Sequence, residues 1–176
     1  MNPLLKVIEK LEKERQEMNL SKESVGFISD ICKARKVKNF LEIGTFNGCS
    51  ALCFSLVCKK VVSLEIDGEN YNIANENIKK ANCDNVEIIK GDAIETLKVL
   101  KLKFDIIFID GRKSEYKKYL ILSLRLLNKD GLIFVDNTLS HKAKLNEFFE
   151  YLKKSKLDYK ELDIGKGLMM IKRSVK

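Results

Sequence analysis

Residues 41–56 read LEIGTFNGCSALCFSL, a short apolar run that ends in a glycine turn and continues into a helix-like stretch. Gly44 and Gly48 let the backbone turn sharply and approach a ligand closely at the carboxyl end of a strand. The spacing is Gly-x-x-x-Gly, not the Gly-x-Gly-x-x-Gly that cradles a dinucleotide pyrophosphate. Glu42, just ahead of the turn, would repel a diphosphate but suits a cationic sulfonium that carries an amino group.

Outward from this turn the chain alternates. Apolar runs at 40–43, 61–64, 86–89, 104–109 and 132–135 are separated by helix-like stretches at 49–57, 69–81, 94–100 and 114–127. Continuous apolar runs mark parallel strands covered by helices on both faces, and the alternation predicts a Rossmann-like, doubly wound α/β sheet. Two helices precede it. Residues 3–18 carry Leu4, Leu5, Ile8 and Leu11 on one face, and Ser21 is placed to cap a second helix with Val25, Ile28 and Ile31 inward. Downstream, a helix over 142–154 leads to strand-like pieces at 159–162 and 168–171. The Gly-containing turn at 163–167 requires those two to pair antiparallel. The expected sheet is therefore seven-stranded and mostly parallel with a C-terminal antiparallel hairpin, which sets it apart from the dinucleotide dehydrogenases. One domain is expected over 1–176, with N-terminal helices in 1–36 and a ligand-binding and catalytic core in 37–176.

Composition narrows the class. Five cysteines are an odd number without a Cys-x-x-Cys pair, which argues against a disulfide framework and a zinc site and for free thiols in a reducing cytosol. Cys49 and Cys53 can share a helix face, where packing is their expected role. The first segment is charged throughout, and no apolar run nears the length of a membrane span, so a cytoplasmic protein without a membrane partner is expected. A net charge of +8 invites a polyanionic partner, but the lysines are scattered rather than grouped, as a plain compositional bias would also leave them.

Further strand ends carry chemistry. Glu65, before Ile66 and Asp67, is placed to accept the hydroxyls of a ribose. In Gly91-Asp92-Ala93, Asp92 can meet an adenine amino group or cap the following helix. Asp110 ends one strand and Asp136-Asn137 the next, so two carboxylates and an amide converge if those strands are neighbours. These hard oxygen donors suit Mg²⁺, although helix capping is the alternative for each Asp. Lys113, three residues after Asp110, can face the same pocket. A lysine beside a divalent cation can shed its proton and serve as a general base. Arg112 and Lys117 could touch a phosphate.

LEIGTFNGCSAL, VVSLEID, KGDAIETL, FDIIFIDGRKSEY and GLIFVDNTL, in that order, resemble the motifs of the catechol/caffeoyl-CoA-type O-methyltransferases. The bacterial enzymes that methylate a wobble hydroxyuridine of transfer RNA are similar too. The resemblance runs from about Met18 to Lys172 and implies a class I, S-adenosylmethionine-dependent O-methyltransferase. It places Glu42, Gly44 and Ser50 at the methionine moiety, with Thr45, Phe46 and Gly48 in the same turn. Glu65 and Ile66 fall at the ribose, Gly91, Asp92 and Ala93 at the adenine, and Met18 and Leu20 over the cofactor. Asp110, Asp136 and Asn137 fall at the metal, Asp110 also beside the cofactor and the chemistry, and Lys113 at the base. A homodimer is a candidate assembly, because relatives commonly pair. The stretch after Asp136-Asn137 is shorter than relatives usually carry, so the acceptor wall is thin. That favours a nucleotide in tRNA over a small hydroxylated aromatic unless a second subunit closes the site. Phe46, Tyr116 and Tyr119 are candidates for stacking on bases. His141 is left outside the catalytic set. A metal-independent methyltransferase and a non-catalytic nucleotide- or RNA-binding module are the competing readings.

Overall fold

The computed structural model describes residues 2–174, and in it the apolar runs become strands. These are β1 (Asn39–Ile43), β2 (Lys60–Glu65), β3 (Val86–Lys90), β4 (Phe104–Ile109), β5 (Leu127–Val135), β6 (Leu157–Leu162) and β7 (Leu168–Arg173). They form one sheet in the order β3-β2-β1-β4-β5-β7-β6. The first five in that order are parallel, while β7 runs antiparallel to both β5 and β6. This is the expected doubly wound sheet with its antiparallel C-terminal hairpin. The order reverses between β1 and β4, so the loops that follow those two strands diverge and open a crevice at their carboxyl ends.

Helices α1 (Pro3–Lys13), α2 (Lys22–Arg35), α3 (Cys49–Ser55) and α4 (Gly68–Lys80) pack on one side. Helices α5 (Ala93–Val99), α6 (Tyr116–Leu126) and α7 (Asn146–Lys154) pack on the other. Successive residues of β4 divide between the faces. Ile106 and Phe108 join Phe40, Phe54 and Ile28, while Ile107 and Ile109 join Leu41, Leu97 and Leu120. A strand buried on both faces has no polar side, which is why these runs read as unbroken hydrophobics.

Boundaries moved where local hydrogen bonds outcompete the periodicity. The helix expected over 3–18 stops at Lys13, because residues 14–20 fold into a separate strap. Gln16 N–H bonds the Asn19 side chain, and Arg15 turns back to the Leu20 carbonyl. The Ser21 cap forms as expected, with its hydroxyl accepting from Ser24 N–H. Short 3₁₀ turns, Lys113–Glu115 and Lys142–Leu145, occupy the first residues of the helices expected from 114 and 142. Among the described residues no helix is long and apolar enough to cross a membrane.

Candidate active site

The crevice is a cleft of about 470 Å³ lying across the carboxyl ends of β1, β2, β4 and β5. Its two ends differ in how the chain is held.

At the β1–β2 end, the turn after β1 needs glycine. Gly44 has φ +100°, and a methyl group there would stand 2.4 Å from the Asp110 carbonyl oxygen, so β1's loop passes directly over the end of β4. Two buried acids brace this loop. Glu65 Oε2 accepts from Thr45 N–H (3.1 Å) and Phe46 N–H (2.8 Å), and its Oε1 accepts from Asp67 N–H (2.8 Å). Glu42 accepts from the hydroxyls of Ser50 (2.6 Å) and Ser63 (2.5 Å). Full burial pushes the Glu42 carboxyl up to about 7, against the lowering effect of the two serines.

Gly44, Thr45, Phe46, Ser50, Glu65, Ile66, Gly91 and Ala93 line the cleft, as do Met18 and Leu20 from the strap. Glu42, Gly48 and Asp92 do not line it. Glu42 lies behind Ser50 and reaches the cleft only through that hydroxyl. Asp92 caps α5 by accepting from Ile94 N–H (2.7 Å), and its other oxygen faces Arg112 at 3.5 Å.

At the β4–β5 end, Asp110, Asp136, Asn137 and Lys113 meet. Asp110 Oδ1 accepts from Lys113 Nζ and from Asn137 Nδ2, each at 2.8 Å. The same amide donates to Asp136 Oδ2 at 2.7 Å, while Asp136 Oδ1 is buried without any partner. Burial raises both carboxyls above their ordinary range. Asp136 reaches about 7, with the Asp110 charge as the next cause. Asn137 holds φ +65°, a left-handed backbone that turns its amide back between the two acids.

Of the aromatic candidates, Phe46 and Tyr119 line the cleft. Tyr116 does not: it is fully buried, packs edge-on against Phe148, and has no face free for a base. Lys117 pairs with Glu147 at 3.3 Å outside the cleft. Arg112 and His141 line it.

Lys166 was not foreseen. Its Nζ donates to the Glu17 carbonyl at 2.7 Å, joining the β6–β7 turn to the strap, and the side chain also faces the cleft. The signal was topological. Because β7 lies antiparallel to β5, its first residues must start at β5's carboxyl end. Backbone bonds from Leu139 and Ser140 to the Lys166 carbonyl fix it there.

The family model for O-methyltransferases matches residues 1–170. The chain belongs to the O-methyltransferase family. An Arabidopsis thaliana protein provisionally named as a caffeoyl-CoA O-methyltransferase is 30% identical across 90% of this chain and 79% of its own length. Caffeoyl-CoA O-methyltransferase 1 of Eucalyptus globulus is 33% identical across 69% of this chain and 53% of its own. Among solved structures, the SAH-bound methyltransferase PaMTH1 of Podospora anserina shares the fold with a TM-score of 0.89. It covers 99% of this chain and 89% of its own at 24% identity. The chain is accordingly an S-adenosylmethionine-dependent O-methyltransferase. In an O-methyltransferase, the braced β1–β2 loops and the under-partnered β4–β5 acids divide the cleft into two chemically distinct halves.

Proposed function

We propose that the β1–β2 half holds S-adenosylmethionine and the β4–β5 half activates an acceptor hydroxyl beside a divalent cation. One observation carries this reading: Asp136 Oδ1 is buried without a partner, while its other oxygen and the part-buried Asp110 carboxylate share the Asn137 amide. Buried polar atoms are nearly always paired, so an orphaned carboxylate oxygen calls for a ligand. The donor set fits Mg²⁺. Asp110 and Asp136 supply carboxylate oxygens, and a half-turn of the Asn137 amide presents its oxygen where the NH₂ now faces both acids.

Such an ion supplies a Lewis acid that lowers the pKa of a bound hydroxyl. Lys113, on the Asp110 side of the cleft, takes the hydroxyl proton at Nζ from its neutral amine form, its own proton having first passed to solvent. The Gly44–Phe46 turn and Ser50 orient the methionine end of the cofactor, and Glu65 meets the ribose. The Met18–Leu20 strap keeps water off the sulfonium. The acceptor oxygen then bonds the methyl carbon as the carbon–sulfur bond breaks, with most of the acceleration coming from positioning. Residues 1–36 and 37–176 act together in this scheme, because the strap and the sheet line one cleft.

The relatives named for caffeoyl-CoA favour an aromatic acceptor. A hydroxylated base in tRNA is the second reading, favoured by Arg112, Lys113, His141 and Lys166 around the acceptor side. Transfer of labelled methyl to catechol and to tRNA lacking wobble methylation, each with Mg²⁺ and with chelator, tests both. Label that survives chelation in either acceptor sinks the metal assignment. Label in only one acceptor decides between the substrates.

A further inference from the structure

On the side of α3 facing α1, away from the acceptor, Glu12, Cys49 and Cys53 bring a carboxylate oxygen and two sulfurs within 4.8 Å of one another. We infer that these residues form a site for a thiophilic, tetrahedral divalent cation of the Zn²⁺ class. The linear pattern hides it, because the two cysteines stand one helical turn apart on α3 and the third ligand arrives from α1.

The geometry needs little rearrangement. Zn–S bonds of about 2.3 Å and Zn–O bonds of about 2.0–2.2 Å imply tetrahedral ligand–ligand edges of roughly 3.5–3.8 Å. Cys49 Sγ and Glu12 Oε1 are already 3.5 Å apart. No other edge has to close by more than about 1.3 Å from the 4.8 Å limit.

The surroundings suit an occupied site as well. Arg15 holds Glu12 at 2.5 Å and Lys22 at 3.2 Å, which fixes the carboxylate as outer partners of metal ligands do. Cation binding converts both thiols to thiolates and releases two protons to solvent. Two thiolates and one carboxylate around a dication leave one net negative charge, which Arg15 and Lys22 lie close enough to offset. The sulfurs select against Mg²⁺, so this site and the oxygen-donor acids of the cleft would not compete for the same ion. Cys53 and Glu12 are only half-buried, which leaves an entry path. Occupancy would tie α1 to the first turn of α3, one residue before Ser50 of the cleft.

Co²⁺ titration of the reduced chain, with excess Mg²⁺ present, tests this. One equivalent should produce thiolate-to-cobalt charge-transfer absorption, be displaced by Zn²⁺, and raise the melting temperature. C53S should abolish the band. E12Q, which keeps both thiols and leaves the core untouched, removes a direct ligand and should weaken Co²⁺ binding by more than the roughly tenfold that loss of an outer partner costs. S-adenosylmethionine binding by each variant verifies the fold. No thiolate band at stoichiometric Co²⁺, or a band that persists when both Cys49 and Cys53 are serine, overturns the site.

Discussion

At the β1–β2 end of the cleft, Glu65 takes three backbone N–H groups and Glu42 two hydroxyls, whereas at the β4–β5 end Asp110 and Asp136 share one amide and leave Asp136 Oδ1 with nothing. The chain thus completes its own polar network at the end proposed for the cofactor and stops short at the end proposed for the acceptor. A closed network rigidifies a loop, while an open one in a buried setting is unstable until a ligand arrives. Preorganisation would suit the adenosyl and amino-acid parts of the cofactor, which methyl transfer leaves unchanged. On the proposed reading, the unfinished half is finished by what the reaction brings.

The widest test of that contrast is Asp136→Asn. Loss of one carboxylate should cut methyl transfer by roughly a thousandfold, since metal assistance contributes several kcal/mol. Affinity for S-adenosylmethionine, measured by calorimetry, should stay within about threefold of the parent, because it depends on the other half. The metal-free variant should also melt above the parent at pH 8, since a carboxylate that is charged there against its burial and the neighbouring Asp110 charge is gone. If cofactor affinity falls in step with turnover, the two halves are not independent. Lys113→Met comes next. A positioned base contributes about 10²–10⁴-fold, so kcat should drop at least about a hundredfold with cofactor binding unchanged. Full rate in single-turnover assays would remove Lys113 from the chemistry.

The same contrast separates what was legible in the sequence from what was not. In the half proposed for the cofactor, the strand, turn and helix were readable because their parts are local: Glu42, Gly44 and Ser50 fall within one strand–turn–helix, and glycine spacing speaks directly of backbone conformation. Reading that half from residue type still overstated Glu42. An acid at a strand end looks ligand-facing, but the register opposite Ser63 turns it into the sheet. The acceptor half needed strand order to bring Asp110 next to Asp136, which alternation of strand and helix supplies. Lys166 depended on β7 slipping between β5 and β6, and neither composition nor periodicity encodes that insertion. Tyr116 shows the converse limit, because an aromatic beside charged neighbours reads the same whether it stacks on a ligand or on Phe148.

Glu42 sharpens the contrast from the cofactor side, because it is well bonded yet carries the cost of complete burial. Its carboxyl is pushed up to about 7, so the native chain keeps a proton that an unfolded chain, titrating near 4.5, gives up. That contribution is full below pH 4.5 and is lost as pH rises through 7. Glu42→Gln has nothing to titrate. Its stability relative to the parent, from urea melts without cofactor, should be level near pH 4.5 and grow toward pH 8, reaching at most about 3 kcal/mol. Parallel curves for the two proteins would mean that the two serines hold Glu42 ionised, and that the cofactor half is as fully paired in charge as in hydrogen bonds.

The smallest expected effect concerns the residue that touches both halves. Lys166 Nζ bonds the Glu17 carbonyl of the strap and faces the acids across the cleft, where its charge offsets a little of the rise that burial imposes on Asp110 and Asp136. A half-exposed bond from an ammonium to a carbonyl contributes about 1 kcal/mol, so Lys166→Met should weaken S-adenosylmethionine binding roughly fivefold. Arg15 and the Asn19–Asn47 amide pair still hold the strap, which caps the loss. Lys166→Arg should restore most of it by donating to the same carbonyl. If the methionine variant instead leaves cofactor affinity intact and raises KM for the acceptor, the lysine serves the open half. The strap then closes without it, and the division of the cleft runs between Lys166 and Glu17 rather than through their bond.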